Sequence, residues 1–191
     1  EGAADFFYPI SITEEEEILN KCREIGIDGI CSIASDLAMT TVNYVADRMG
    51  LIGNSIETTI KATNKHEMRR AFEINGDPSL RSYLIDDLKD IRDLKLSFPA
   101  IVKPIDRSGS RGITKIEDEA EIEAAVIRAM DVGFEKKVLI EEFAEGEEYS
   151  IECISWKGSH FFITATKKFT TGEPNFIETG HMEPASLDEN T

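Results

Sequence analysis

The chain has 191 residues, of which 41% are hydrophobic and 30% are charged, and its formal net charge at pH 7 is −16. This length is enough to bury a core in one domain or in two small ones. The strong negative charge argues against nucleic acid and against an anionic membrane as partners, and no apolar run is long enough to span a membrane. The first residues do not resemble a signal peptide, and the three scattered cysteines predict reduced thiols, so we expect a cytoplasmic protein.

The first 60 residues are predicted to alternate between strands and helices. Apolar runs predict strands over residues 4–12 and 29–33. Helix-start residues and terminal glycines predict one helix over 13–26 and another over 36–50. This order of elements is typical of a parallel α/β sheet.

After residue 60 the pattern changes to short strands with few helices. A helix capped by Asn64 is predicted to end at Gly76. The elements predicted after it are a strand over 82–85, a helix over 88–96, strands over 98–102 and 113–116, a helix capped by Asp118, and strands over 137–141, over 148–156 and through Phe161 and Thr166. This order predicts an α+β unit, so we expect two domains, 1–60 and 61–191.

The central motif is F-P-A-I-V-K-P-I-D-R-S-G-S-R-G, residues 98–112. Its apolar start predicts a buried strand that ends at Lys103, and Pro104 keeps the chain extended. The loop over 106–112 carries two glycines, two hydroxyls and two guanidiniums, and such a loop can hold an anion through its backbone N–H groups. A lysine before this loop predicts a polyphosphate site. An ordinary β-turn beside a solvated lysine is the alternative.

Two further features fit a nucleotide. In V-L-I-E-E-F-A-E-G-E-E-Y-S-I-E, residues 138–152, a strand ends in a sharp turn whose backbone could bond adenine, and Glu148 could accept hydrogen bonds from ribose. A solvated face is the alternative for each glutamate. Lys65 lies in the first turn of a predicted helix, where a cation opposes the helix dipole. It is either a slightly unfavourable surface lysine or one that reaches a phosphate.

Taken in order, Lys65 before a helix and the two motifs above resemble the ATP-grasp superfamily. Residues 1–55 are similar to the end of the domain that precedes it in carboxylate–amine ligases such as carbamoyl-phosphate synthase, biotin carboxylase and glycinamide ribonucleotide synthetase. The resemblance covers nearly the whole chain. It implies an α/β and α+β fold, in which the end of a parallel-sheet pre-ATP-grasp domain precedes an incomplete ATP-grasp domain with a lobe over about 97–142 and a hinge over 142–146.

The resemblance also implies roles for the residues that match its motifs. It implies nucleotide binding by Lys65, Lys103, Ser108, Gly109, Ser110, Gly112, Glu141, Glu142, Phe143, Ala144 and Glu148. The lysines would contact the phosphates, the loop would close over them, the hinge would bond adenine through its backbone, and Glu148 would accept the ribose. It implies catalytic roles for Lys103, Arg111, Glu178 and His181. For His181, an ordinary exposed histidine is the alternative.

By this resemblance the protein is an ATP-dependent ligase that activates a carboxylate as an acyl phosphate for attack by an amine or another nucleophile. Its expected partners are ATP, Mg²⁺ and a small carboxylate substrate, with a homodimer as one option for its assembly. Both ends look cut, residues 187–191 look like the start of a helix, and the family's metal ligands would follow Thr191, so we expect an inactive fragment without metal ligands of its own.

Other functions fit less well. A non-catalytic nucleotide-binding module would use the same residues and stays open as the alternative. A protein kinase needs its glycine loop before the lysine, together with H-R-D and D-F-G, whereas here the loop follows the lysine and neither tripeptide occurs. A P-loop is excluded because G-x-x-x-x-G-K-[ST] is absent.

Overall fold

The structure is a computed structural model with side chains, and it describes residues 4–33, 35–173 and 176–187. The helix start expected after residue 187 lies outside these residues. Contacts within the chain divide it into two compact units, Glu1–Ser79 and Leu80–Thr191. The predicted domains over 1–60 and 61–191 stay a prediction, because a unit defined by contacts and an evolutionary domain need not share a boundary.

The first unit contains four helices: α1 (Glu15–Ile25), α2 (Asp36–Met49), α3 (Ile56–Thr63) and α4 (Lys65–Asn75). A glycine with a left-handed backbone follows α1, α2 and α4, as the sequence predicts for helix ends. Helix α3 was not predicted. Its start is marked by a serine whose side chain accepts a hydrogen bond from the backbone of the first turn. The buried side chains of this unit include Leu19, Val42, Val45 and Ala46.

The parallel sheet expected at the start of the chain is not formed in the described residues. Residues 4–12 and 29–33 belong to no strand there. A strand is stable only beside a partner that bonds its backbone N–H and C=O groups, and no partner strand is present in the described part of this unit. Apolar side chains of both segments are exposed instead, with Phe6 at 80% and Ile33 at 90%. The expectation of parallel strands is therefore corrected to a helical unit in the residues described.

The first sheet of the second unit is antiparallel throughout. It consists of β1 (Ser82–Ile85), β2 (Ala100–Pro104), β3 (Thr114–Ile116) and β4 (Val138–Glu142), in the spatial order β1-β4-β2-β3. The lysine strand β2 therefore lies directly beside the strand that leads into the predicted hinge. The helix predicted over 88–96 is a shorter 3-10 helix, Leu88–Asp93.

One face of this sheet is covered by helix α5 (Ile122–Val132), and the other face carries the candidate site. Ala100 and Val102 of β2 are fully buried in the cluster that includes the inner side of α5. Because successive side chains of a strand point to opposite faces, Ile101 and Lys103 lie on the face away from α5. The alternation of side chains between the two faces of β2 therefore places Lys103 outside the apolar core.

The second sheet of this unit consists of β5 (Tyr149–Trp156), β6 (Ser159–Thr170) and β7 (Glu178–Met182), paired antiparallel in that order. The expected combination of helices with antiparallel sheets, an α+β arrangement, is confirmed. No helix in the described residues has the length and apolar character needed to cross a membrane.

Candidate functional site

The predicted phosphate lysine, Lys103, forms an ion pair with Glu141 on the face of the first sheet away from α5. Lys103 pairs with Leu139 in the ladder and Glu141 pairs with Ile101, so the two charged side chains are diagonal neighbours. They are only 14% and 5% exposed. Buried charges are found almost only where they are paired. The pairing therefore keeps the ammonium of Lys103 at the end of β2, with its charge balanced by Glu141. Sequence reasoning expected Glu141 to act through its backbone and missed this contact.

A second lysine, Lys115 of β3, lies on the same face. Its ammonium is 2.5 Å from a carboxylate oxygen of Glu173 and 2.9 Å from one of Glu117. Hydrogen bonds with Glu173 and Glu117 raise the pKa of Lys115 above its ordinary value. The ammonium also lies 4.7 Å from the ring centroid of Phe143, a predicted hinge residue. Sequence reasoning did not single out Lys115, because two of its partners, Glu173 and Phe143, lie on other segments of the chain.

Hydrogen bonds connect the start of the glycine loop to the turn after α5. The two carboxylate oxygens of Asp106 accept hydrogen bonds from the backbone N–H groups of Phe134, at 3.2 Å, and Glu135, at 2.7 Å. The guanidinium of Arg107 lies 4.3 Å from the ring centroid of Phe134, a cation–π contact. Asp106 and Arg107 thus have structural contacts that account for their place in the motif.

The two glycines of the loop have different surroundings. A Cβ atom on Gly112 would lie 3.0 Å from Cγ of Pro104, so a side chain there would require Pro104 to move by a few tenths of an ångström. Gly109 has no heavy atom within 4 Å of the same position. Ser108, Gly109 and Arg111 are exposed. The part of the loop that is accessible to an anion is therefore centred on these three residues.

The hydroxyl of Ser110 connects the loop to the segment before β7. It donates a hydrogen bond to the carbonyl oxygen of Phe176 at 2.8 Å. Both residues have positive φ angles, 55° and 49°. The ring of Phe176 also lies 6.0 Å from the ring of Phe143, centroid to centroid. Loop, hinge and second sheet therefore meet in this unit.

Two backbone donors of the predicted hinge already have acceptors. The N–H of Glu142 donates to the carbonyl of Arg81, and the N–H of Phe143 donates to that of Pro99, each at 3.2 Å. Ala144 is exposed, and its N–H has no acceptor in the part of the chain that the structure describes. The N–H of Ala144 is thus one of the hinge donors that an external base could use.

Three of the predicted residues, Glu148, Glu178 and His181, surround Lys168 of β6. The ammonium of Lys168 lies 2.6 Å from Oε1 of Glu148 and 2.6 Å from Oε1 of Glu178. His181 pairs with Lys168 in the ladder, and its Nε2 is 3.6 Å from Oε2 of Glu178. Sequence reasoning named the three outer residues and missed the lysine that joins them.

These contacts shift the pKa values of Lys168 and Glu178. Partial burial alone would lower the pKa of Lys168, but hydrogen bonds with Glu148 and Glu178 outweigh it and raise that pKa above its ordinary value. The hydrogen bond with Lys168 holds the pKa of Glu178 below its ordinary value. Two positions before Lys168 on the same face, the buried hydroxyl of Thr166 has no hydrogen-bond partner among the described residues.

Lys65 belongs to the first unit, whereas the other predicted site residues belong to the second. It is the first residue of α4 and is half-buried, directly after the cap formed by Asn64.

Among the described residues, no three carboxylates, imidazoles or thiols are placed to hold a metal ion. The Mg²⁺ that the resemblance implies stays a prediction.

The chain is similar to known proteins both in sequence and in structure. Residues 96–191 match the ATP-grasp domain family. Alanine–anticapsin ligase of Bacillus subtilis (strain 168) is 32% identical over 97% of this chain and 46% of its own length. The crystal structure of L-amino acid ligase from Bacillus licheniformis has a TM-score of 0.81 at 24% identity and covers 100% of this chain and 48% of that one.

Phosphoribosylglycinamide synthetase from Anaerococcus prevotii has a TM-score of 0.70 at 21% identity, and the match covers 99% of this chain and 47% of that one. At these identities the two solved structures show a shared fold. The chain spans about half the length of the curated relatives it matches.

Proposed function

The chain belongs to the ATP-grasp family, and we propose that it is the nucleotide-binding portion of a ligase that activates a carboxylate with ATP for attack by an amine. The observation that carries the proposal is the position of Lys103, a partly buried cation on the face away from α5, directly before the exposed part of a glycine loop. The name of the relative with 32% identity, alanine–anticapsin ligase, supports an amino acid as the carboxylate.

Each part of the nucleotide has a matching group in the second unit. Lys103 and the exposed Arg111 would bind the phosphates, together with the backbone N–H groups near Gly109. Ala144 would donate its N–H to adenine. Glu148, whose side chain is 57% exposed, would accept a hydrogen bond from a ribose hydroxyl. The assignment of Lys65 to the phosphates continues to rest on the order of the motifs.

In the proposed reaction the substrate carboxylate attacks the terminal phosphorus of ATP, and the bond to the bridging oxygen breaks to give ADP and an acyl phosphate. The amine then attacks the acyl carbon, loses a proton and displaces phosphate. Lys103 and Arg111 would stabilise the charge that develops on the transferred group, as fixed cations do in phosphoryl transfer.

Glu178 and His181 would lie on the side of the carboxylate substrate. No step is assigned to Mg²⁺, and its use stays a prediction for the whole ligase. A cytoplasmic location and a homodimer likewise stay predictions.

Calorimetric titration of the full-length protein with ATP tests the proposal. A hydrogen bond to a charged group contributes about 1.5–3 kcal/mol, so Lys103→Met should weaken ATP binding about 10- to 100-fold. Lys89→Met is the matched control, because it removes the same charge from a side chain that is 72% exposed. Equal affinity of folded Lys103→Met and the parent would contradict the assignment. Release of ADP that requires both a carboxylate and an amine would separate a ligase from a non-catalytic binding module.

A further inference from the structure

Lys168 occupies the central strand of the second sheet and contacts charged groups on both sides. Its ammonium is 2.6 Å from Oε1 of Glu148, just before β5, and 2.6 Å from Oε1 of Glu178 at the start of β7. Its backbone N–H donates to the carbonyl oxygen of Glu148 at 2.9 Å. The lysine side chain is only 17% exposed, whereas the two glutamates are about half exposed.

The contacts with Lys168 order the carboxylates of Glu148 and Glu178 before any ligand binds. A glutamate loses rotamer freedom when it is ordered, and a group that is already ordered does not lose it again on binding. Each carboxylate uses Oε1 for Lys168, which leaves Oε2 of Glu148 for another donor. Without the ammonium between them, the two negative charges would repel each other.

We propose that Lys168 is a positioning residue that sets the preference for a ribonucleotide by orienting Glu148 toward the sugar. The inference rests on the proposed function, because Glu148 meets a ribose only if the chain binds ATP. Lys168 acts through Glu148 and needs no contact with the nucleotide. Lys168 also bonds to Glu178 of strand β7. The glutamate proposed to contact the sugar and the glutamate proposed to lie near the carboxylate substrate therefore share one ammonium partner.

The preceding residue, Lys167, is a matched control. It lies on the opposite face of β6 and pairs with Glu147, and its ammonium is 5.8 Å from the ring centroid of Tyr149 and 6.0 Å from that of Phe169. It therefore has the same charge, the same strand and a similar ion pair, but its carboxylate partner is not a predicted site residue.

The experiment measures the affinity of the full-length protein for ATP and for 2′-deoxy-ATP and compares their ratio. We expect Lys168→Met to reduce the ratio about 5- to 10-fold, less than the loss of a whole charged hydrogen bond, because the Glu148 carboxylate itself remains. Lys168→Arg should restore most of it, because it keeps the charge, and Lys167→Met should keep the parent's ratio. Lys168→Met should have little further effect in a Glu148→Gln background.

The outcomes distinguish a failure of the positioning role of Lys168 from a failure of the proposed function. If the parent does not bind ATP, or if Glu148→Gln keeps the parent's ratio, the proposed nucleotide assignment fails. If Glu148→Gln loses the preference while Lys168→Met keeps it, the positioning role alone is overturned. Thermal melting verifies folding. If Lys168→Met is unfolded at the assay temperature, Lys168→Gln, which keeps a polar side chain without the charge, carries the same expectation and the same contradicting result.

Discussion

The Lys103 ammonium and the Glu141 carboxylate pair across two adjacent strands although the residues are 38 positions apart in the sequence. A buried ion pair contributes little net stability compared with apolar side chains of the same size, whereas loss of one partner is costly. Stability alone therefore does not explain why charges occupy this place. A positive charge beside the exposed part of a glycine loop is useful if an anion binds there, and this is why the pair supports a phosphate site.

The first prediction follows from this asymmetry. Lys103→Met should lower the free energy of unfolding by about 3 kcal/mol, because it removes one partner of a buried pair. The double variant Lys103→Met/Glu141→Leu should recover most of that loss. Urea denaturation measures both values, and Lys89→Met should stay within about 0.5 kcal/mol of the parent. A double variant as unstable as the single one would show that the pair is not the cause.

The second prediction compares the two loop glycines. Gly112 and Gly109 both have left-handed backbones, with φ angles of 74° and 66°, but only Gly112 is packed against Pro104. Alanine at either position adds similar backbone strain, while alanine at 112 adds a clash of the kind that costs about 1–3 kcal/mol. Gly112→Ala should therefore be the less stable variant by that amount in urea denaturation. Equal stabilities would mean that the loop shifts without cost.

The sequence predicted those parts of the site that depend on local pattern. The apolar run before Lys103 and the glycines after it were sufficient to place a strand end and a loop. Lys168 was missed because its partners come from other segments, Glu148 from just before β5 and Glu178 from the start of β7. The register between strands, with a bulge between Phe169 and Thr170, is not encoded in any short segment.

Strands were predicted wrongly where only apolar composition supported them. Residues 4–12 are apolar enough for a strand, but a strand also needs a bonded neighbour. In the described residues the segment is attached to α2 instead, where the Thr41 hydroxyl donates to the carbonyl of Ile12 at 2.6 Å. Composition indicates that a segment can be buried, and only the rest of the fold decides what it pairs with.

The third prediction concerns the contact between Ser110 and Phe176. Ser110→Ala removes the hydroxyl that donates to the Phe176 carbonyl, and a neutral hydrogen bond contributes about 0.5–1.5 kcal/mol. Amide exchange in the loop over 106–112 should therefore become about 2- to 10-fold faster in the absence of nucleotide. Ser108→Ala is the control, because Ser108 is exposed in the same loop. Unchanged exchange in Ser110→Ala would indicate that Asp106 and Gly112 hold the loop without it.

The fourth prediction uses the pH dependence of the Glu178–Lys168 pair. Hydrogen bonding to Lys168, together with the charges of Lys168 and His181, lowers the pKa of Glu178 in the folded state from its ordinary value of 4.5. Stability from this group is therefore fully present above pH 4.5 and is lost as the pH falls through the lowered folded-state pKa. For Lys168, whose pKa is raised above 10.5, the contribution is lost only as the pH rises beyond that value.

Glu178→Gln should accordingly melt at a lower temperature than the parent near neutral pH, and the two melting temperatures should converge as the pH falls through the lowered folded-state pKa of Glu178. The difference should be small and should shrink in high salt, because 48% of the Glu178 side chain is exposed and solvent screens the pair. Glu145→Gln, at an exposed position of the hinge turn, corrects for the general effect of removing one negative charge from a chain with a net charge of −16. A difference that persists unchanged at low pH would mean that the ionised carboxylate is not what stabilises β7, and that Glu178 contributes through packing instead.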